Sequence, residues 1–164
     1  MRKQKGFSLI ELLIVVAIIL IIAAIAIPNL LRARIAANES SAAGSIRTIN
    51  TAEVAYNSQF PTTGYAATLT AMGPGGTCPI PTVGAACLLD NVLGVAAPAK
   101  SGYNFTYAVV AANGINGGYQ IAGNPITANS TGVRSFCSFE DAVVRYQTGN
   151  LTPAACINTV PALQ

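Results

Sequence analysis

The residues best equipped for chemistry in this sequence are four cysteines, which stand in a chain without histidine. Histidine is the commonest general base and the commonest metal ligand, so its absence disfavours both kinds of site. Eight residues separate Cys78 from Cys87 and eighteen separate Cys137 from Cys156, and neither spacing resembles the CxxC pairs of a zinc knuckle. The cysteines therefore predict disulfides in an oxidising compartment, with no metal site and no cofactor.

The pairing of these cysteines is open on sequence grounds, because four cysteines permit several connectivities. We favour Cys78 with Cys87 and Cys137 with Cys156, since each pair closes a short loop whose ends are near each other along the chain. On the chain-entropy model each bridge stabilises the fold by about 3 kcal/mol.

A second candidate for chemistry is Glu11, an acid inside the otherwise apolar run of residues 7 to 27. An ionised carboxylate at the centre of a bilayer costs about 3 kcal/mol or more, so such a residue is a functional candidate by default. One interpretation is that Glu11, only four residues from Phe7, reaches the lipid headgroups. The other is that the acid requires a cation, which a new α-amino group on Phe7 would supply.

Catalysis by a serine nucleophile is disfavoured by the bases that the chain offers. Without histidine the base would have to be a lysine, and Lys100 is the only lysine beyond residue 6. The acids Asp90, Glu140 and Asp141 are too few and too scattered to predict a calcium site. We therefore expect that this chain is not an enzyme.

The net charge of +3 does not by itself indicate a surface for nucleic acid. Three of the nine basic residues, Arg2, Lys3 and Lys5, stand at the very start of the sequence. If the chain is cut after Gly6, six basic residues balance six acidic ones. No broad basic surface would remain to bind phosphate, so we predict no nucleic-acid partner.

The apolar run that contains Glu11 has the length of a membrane-spanning helix. Its twenty-one residues would form a helix about 32 Å long, close to the hydrocarbon thickness of about 30 Å. No small-x-small cleavage site follows the run immediately, so we expect it to be retained. The basic residues before it predict a cytoplasmic N-terminus, with everything after Pro28 on the outer side.

Residues 5 to 30, KGFSLIELLIVVAIILIIAAIAIPNL, resemble the N-terminus of a type IV prepilin of the short-leader, type IVa kind. The resemblance implies that a prepilin peptidase cuts between Gly6 and Phe7 and N-methylates Phe7. It implies that Glu11 then pairs with the Phe7 amine of a neighbouring subunit during assembly. It also places Pro28 at a bend of the helix, where the missing backbone N–H predicts a kink.

The function implied by the resemblance is that of a structural subunit of a type IV pilus, serving adhesion, twitching motility or DNA uptake. The implied partners are other copies of the chain, the prepilin peptidase and the pilus assembly machinery in the inner membrane. The chain would be a single-pass inner-membrane protein before assembly and part of an extracellular pilus afterwards. Two alternatives stay open: a pseudopilin of a type II secretion system, and a monomeric anchored protein that binds a ligand.

The expected fold is α+β, with a long kinked N-terminal helix packed on an antiparallel β-sheet head, as in the pilin fold. The expected divisions are a leader at 1–6, a transmembrane and assembly helix at 7–28, and a head at 29–164. An apolar stripe at helical spacing continues the helix to about Asn57; it consists of Ile35, Ala42, Ile46, Ile49 and Tyr56.

Beyond the long helix, residues 60 to 84 carry the glycines and prolines of a loop, and residues 85–93 suggest a short helix. Alternating and β-branched residues predict strands in the second half of the chain, at 103–107, 119–122, 133–138 and 142–147. Turns are predicted at Asn113-Gly114 and Gly117-Gly118. The resemblance also implies that the loop between Cys137 and Cys156 lies exposed on the filament.

Overall fold

The computed structural model describes residues 7–76, 78, 80–112 and 114–163. The chain forms two compact units, one ending at Arg34 and the other beginning at Ile35. One helix, α1 (Leu9–Gln59), contributes to both. The first unit contains the apolar part of α1, and the second contains the rest of α1 together with all the strands.

Helix α1 agrees with the sequence prediction to within two residues at each end. Its first hydrogen bonds run from the backbone N–H of Glu11 and Leu12 to the carbonyl of Ser8. It ends before Phe60-Pro61, because a residue that precedes proline is disfavoured in the helical region. Pro28 lies inside the helix, where its ring nitrogen cannot donate the usual bond.

The second unit contains a five-stranded antiparallel sheet whose strands are neighbours in the order of the sequence. The strands are β1 (Ala99–Lys100), β2 (Tyr103–Ala112), β3 (Ile115–Pro125), β4 (Arg134–Phe139) and β5 (Arg145–Thr148). A long helix followed by an antiparallel meander is an α+β fold of pilin type, as predicted.

The core of the second unit lies between α1 and one face of the sheet. Ile46, Ile49 and Tyr56, all from the predicted apolar stripe, are buried on the helix. Large aromatic side chains of three different strands complete the same cluster; they are Tyr103, Phe105, Tyr119 and Phe136. Alternation explains the sheet side, because in β2 Tyr103 and Phe105 are buried while Asn104 and Thr106 face out.

The outer edge of β5 is covered by the chain itself. The backbone N–H of Tyr146 donates to the carbonyl of Pro161 at 3.0 Å, and that of Leu163 donates to the carbonyl of Val144 at 2.8 Å. Arg145 and Ala162 form an antiparallel bridge between these bonds. The segment 161–163 therefore runs along β5 as a short covering strand.

The predicted helix at 85–93 is wrong. The short helices of the described residues are instead α2 (Leu69–Met72), capped by the hydroxyl of Thr68, and a 3-10 turn at Pro153–Ala155. Cys87 adopts a left-handed backbone angle, φ 59°, which a right-handed helix cannot contain. Its N–H donates to the carbonyl of Gly73, so the segment is bound to the loop after α2 instead.

The predicted turn at Gly117-Gly118 is also wrong, because both glycines lie inside β3. The register between β2 and β3 shifts after Val110, which pairs with Gly118, while Ala111 pairs with Asn116. Gly117 is the extra residue of this bulge, and a Cβ there would lie 2.5 Å from the Cβ of Ala112. Gly114 does lie in the hairpin turn, and its predicted partner Asn113 is outside the described residues.

Candidate functional site

The two predicted assembly residues, Phe7 and Glu11, lie at the beginning of the described chain. Phe7 precedes α1 and its side chain is exposed. Glu11 lies in the first turn of α1, and its Oε2 accepts a hydrogen bond from the backbone N–H of Ser8 at 2.9 Å. The carboxylate is thus held at the helix N-terminus, where the backbone N–H groups and the helix dipole favour negative charge.

Along the first unit, α1 exposes its large apolar side chains. Six of these side chains are each more than two-fifths exposed; they are Leu9, Leu12, Leu13, Val16, Ile19 and Ile22. The first four of them border a shallow apolar groove of about 240 Å³. By length and composition, α1 is the one helix among the described residues that could cross a membrane.

Three sequence-predicted site positions receive no direct geometric test. Gly6, on the leader side of the predicted cut, lies outside the described residues. Pro28 occupies the interior of α1, and its predicted kink stays a prediction. The pairing of Glu11 with a Phe7 amine involves a second copy of the chain and stays a prediction as well.

Two disulfides are present in the second unit, and they join the cysteines that the loop lengths favoured. Cys78 and Cys87 have Cα atoms 5.9 Å apart, as do Cys137 and Cys156. The second bridge is the more deeply placed, because Cys137 and Cys156 are both buried. They pack with Ala122, Leu151 and Val160 in a small cluster of their own.

The loop closed by Cys137 and Cys156 is also fixed by polar contacts. The amide of Asn124 on β3 bonds both the N–H and the carbonyl of Leu151, at 2.7 Å and 2.8 Å. The guanidinium of Arg145 donates to Asp141 and to Asn158 Oδ1, and it lies 4.3 Å from the ring centre of Phe139. The loop is therefore held in place at several points along its length.

Sequence reasoning missed three of the buried polar residues of α1, namely Glu39, Asn50 and Glu53. Asn50 accepts a hydrogen bond from the hydroxyl of Tyr119 and donates to Ser138 Oγ and to the carbonyl of Ala142. Their spacing of eleven and three residues follows the helical stripe, which could have shown that they face the sheet.

Glu39 anchors the start of β4 to the helix. Its Oε1 accepts hydrogen bonds from the backbone N–H of Val133 and of Arg134, at 2.9 Å and 3.0 Å. Its Oε2 accepts from Nε and Nη2 of the Arg134 side chain, at 2.8 Å and 2.7 Å. Burial acts to raise the pKa of Glu39, but these hydrogen bonds and the guanidinium charge outweigh it, so the pKa is lowered.

This anchor predicts a loss of stability in acid. The pKa of Glu39 is lowered from 4.5, so its contribution to the free energy of unfolding is fully present above pH 4.5. That contribution disappears as the pH falls through the lowered value. We expect Glu39→Gln to destabilise the second unit by about 1–2 kcal/mol at pH 7. The variant should also lose less stability between pH 7 and pH 3 than the unchanged chain does. Chemical unfolding of the detergent-solubilised chain at pH 7 and pH 3, followed by circular dichroism, measures both effects.

Glu140→Gln provides the control for that experiment, because Glu140 is an exposed acid on the same unit. It should unfold like the unchanged chain at both pH values. If Glu39→Gln loses as much stability between pH 7 and pH 3 as the unchanged chain does, the anchor is not the source of the acid sensitivity.

No constellation for metal binding is seen in the described part of the chain. Within it, no group of three or more cysteine or acidic side chains is placed to hold a metal ion. What the first unit offers is an exposed apolar helix with a carboxylate in its first turn, an arrangement suited to association within a membrane.

Residues 1–27 match a family model described as the prokaryotic N-terminal methylation motif. The match covers the segment that contains Phe7 and Glu11, together with the basic residues before them. No solved structure is a significant match to the chain.

Two curated proteins are similar to part of the chain. The type IV wide pilus major component PilA4 of Thermus thermophilus is 68% identical over 40 residues, which cover 24% of this chain and 30% of that protein. The type IV major pilin protein PilA of Myxococcus xanthus is 44% identical over 57 residues, which cover 35% of this chain and 26% of that protein. The chain thus spans less than a third of each relative's length.

Proposed function

We propose that this chain, a type IV pilin by its N-terminal motif, its relatives and its fold, is the polymerising structural subunit of a type IV pilus. The observation that carries the proposal is the combination of an exposed apolar helix with a single acid, Glu11, in its first turn. A plain membrane anchor has no use for a carboxylate there, because the charge raises the cost of insertion.

Maturation is the first step of the proposed function. A prepilin peptidase on the cytoplasmic side of the inner membrane would remove residues 1–6 and N-methylate Phe7. The cut converts the amide nitrogen of Phe7 into an amine that carries a positive charge. The span of residues 7–28 would then contain one cation, the Phe7 amine, and one anion, Glu11, only four residues apart in sequence.

Assembly is the second step, and the charge pair would fix the axial position of each subunit relative to its neighbour. A carboxylate and an ammonium group are each costly in lipid, and bringing them together on different subunits reduces both costs. Glu11 of an entering subunit would pair with the Phe7 amine of a subunit already in the filament. The exposed leucine, isoleucine and valine side chains of α1 would exchange lipid contacts for contacts with neighbouring helices.

The route of the chain follows from these steps. It would reside in the inner membrane with one span, residues 7–28, and with the head, residues 29–164, on the outer side. The assembly machinery would then extract it into an extracellular filament, where the head contributes to adhesion, twitching motility or DNA uptake. Disulfides at Cys78–Cys87 and Cys137–Cys156 are consistent with an oxidising compartment for the head.

The maturation step gives the first test of the proposal. Intact-mass and N-terminal peptide mass spectrometry of filaments sheared from cells should show loss of residues 1–6 and one added methyl group on the amine of Phe7. Cells that lack prepilin peptidase should keep the full-length chain in the membrane fraction. A filament-derived chain that retains Gly6 would contradict the proposal.

A further inference from the structure

The second unit contains an acid that the proposed function does not use. Glu53 on α1 is fully buried, between the helix and the sheet. Its Oε2 accepts a hydrogen bond from the backbone N–H of Ala66 at 3.0 Å. Its Oε1 has no hydrogen-bond partner among the described residues. A buried carboxyl with a single protein hydrogen bond is unusual, because an unmet polar atom costs stability.

The groups that face this carboxyl are phenols. Tyr56 lies on α1 beside it, Tyr107 approaches from β2 and Tyr119 from β3. Tyr65, in the connection that follows α1, packs on Tyr119, and the centres of the two rings are 5.1 Å apart. None of these groups carries a positive charge, so an ionised Glu53 would lack a compensating cation in the described surroundings.

The same carboxyl is attached to the connection between α1 and α2, residues 60–68. Ala66 is held there by its N–H on Glu53 and by its carbonyl, which accepts from the hydroxyl of Tyr107 at 2.6 Å. Farther along the chain, the hydroxyl of Tyr56 donates to the carbonyl of Val83 at 2.7 Å. The contacts that hold Ala66 against α1 and β2 therefore meet at or beside Glu53, while Thr63 and Tyr65 are bound separately to Asn116 of β3.

We propose that Glu53 is a proton-operated latch, whose neutral carboxyl holds the 60–68 connection closed and whose ionisation releases it. On ionisation the proton passes to entering water, because no basic side chain among the described residues faces the site. The hydroxyl of Tyr107 lies beside the carboxyl and can turn to donate to the new charge, which removes this donor from the carbonyl of Ala66. Water and this exchange of partners open the connection while the sheet stays folded.

The electrostatics agree with this geometry. Burial raises the pKa of Glu53 from 4.5 to about 7, more than the neighbouring hydroxyl of Tyr107 and the N–H of Ala66 lower it. Burial, and then the charge of Glu53, raise the pKa of Tyr107 and Tyr119, so the phenols stay protonated where the carboxyl titrates. Because the pKa is raised, the stability contributed by protonated Glu53 is fully present below pH 4.5. It is lost as the pH rises through about 7.

Hydrogen exchange tests the latch on the full chain in detergent micelles. With a closed-state pKa of about 7 and an open-state value of 4.5, the opening equilibrium should grow roughly thirtyfold between pH 5.5 and pH 8.5. The protection factors of peptides that cover 60–68, corrected for the intrinsic rate at each pH, should fall by that factor. Peptides from β3 and β4 should keep their protection and serve as the internal reference.

Glu53→Gln removes the titration while keeping the size of the side chain, and its 60–68 protection should not change with pH. Glu140→Gln, an exposed control, should behave like the unchanged chain. An equal fall in Glu53→Gln, or a fall shared by β3 and β4, would overturn the latch.

A second measurement keeps the test valid if Glu53→Gln does not fold. With the side-chain carboxyls of glutamate labelled with ¹³C, one of the glutamate signals of the unchanged chain should titrate with a midpoint near pH 7. If every glutamate signal titrates at or below about pH 4.5, the proposal is wrong. The exchange measurement concerns the second unit alone, and the signal near pH 7 is attributed to Glu53 only if it persists in Glu11→Ala. The outcome is therefore independent of whether the chain assembles into a pilus.

Discussion

Cells that produce the chain with Glu11→Ala are expected to insert it into the inner membrane normally and to display almost no filaments. The change removes the carboxylate that would pair with the Phe7 amine of the neighbouring subunit. If that pair offsets a cost of about 3 kcal/mol for each buried charge, the association constant of a subunit for the filament falls at least roughly a hundredfold. Immunoblots of sheared surface filaments and of washed membranes measure the two populations separately.

Two further variants separate charge from size and from position. Glu11→Gln keeps the shape and the hydrogen-bonding oxygen but not the charge, so it should also lose filaments. Glu140→Ala removes an exposed acid of the second unit and should leave filaments at the normal level. Abundant filaments from Glu11→Ala would show that the pairing role is wrong, while loss of the chain from the membrane would show an insertion defect instead.

The second large effect is expected from the buried disulfide. Replacing both Cys137 and Cys156 with alanine removes a bridge that spans nineteen positions, and the chain-entropy model assigns it about 3 kcal/mol. The bridge is also packed with Leu151 and Val160, so truncation leaves poorly filled space. We expect the melting temperature of the detergent-solubilised chain to fall by about 10 °C, measured by circular dichroism.

The other disulfide provides a matched comparison. Cys78 and Cys87 close a loop of nine positions, and Cys78 is exposed. Replacing both with alanine should therefore lower the melting temperature less than the Cys137 and Cys156 pair does. If the exposed pair has the larger effect, packing around Cys137 does not contribute as the structure indicates.

Those parts of the fold that depend on repeated patterns could be predicted from the sequence. The helix was predictable because apolar residues recur at helical spacing from Ile35 to Tyr56. The strand at Tyr103 was predictable because buried aromatic residues alternate with exposed polar ones. Each of these signals is local and repeats over several turns or pleats.

Features set by single tertiary contacts could not be predicted in the same way. Gly117 resembles a turn residue in the sequence, yet its role is to fit a bulge beside Ala112. Residues 85–93 have helical composition, but the disulfide and the left-handed angle at Cys87 exclude a helix. Such outcomes depend on residues distant in the chain, which no local pattern encodes.

The candidate site shows the same division. Glu11 was singled out because an acid in an apolar run is conspicuous, and Phe7 because the segment resembles a prepilin N-terminus; their roles stay predictions. Glu39 and Glu53 were not singled out, because acids on a helix that emerges from a membrane are usually solvated. Only the structure shows that one of them meets an arginine and the other meets phenols.

The strand formed by residues 161–163 also bears on how subunits can associate at high density. An uncovered strand edge pairs with any other edge it meets, which leads to amorphous aggregates or fibrils of the wrong kind. By occupying the backbone groups of Val144 and Tyr146, the segment removes that competing reaction at β5. Crowded copies would then be directed to associate through their apolar helices, and a variant with this segment deleted should precipitate where the intact chain stays dispersed.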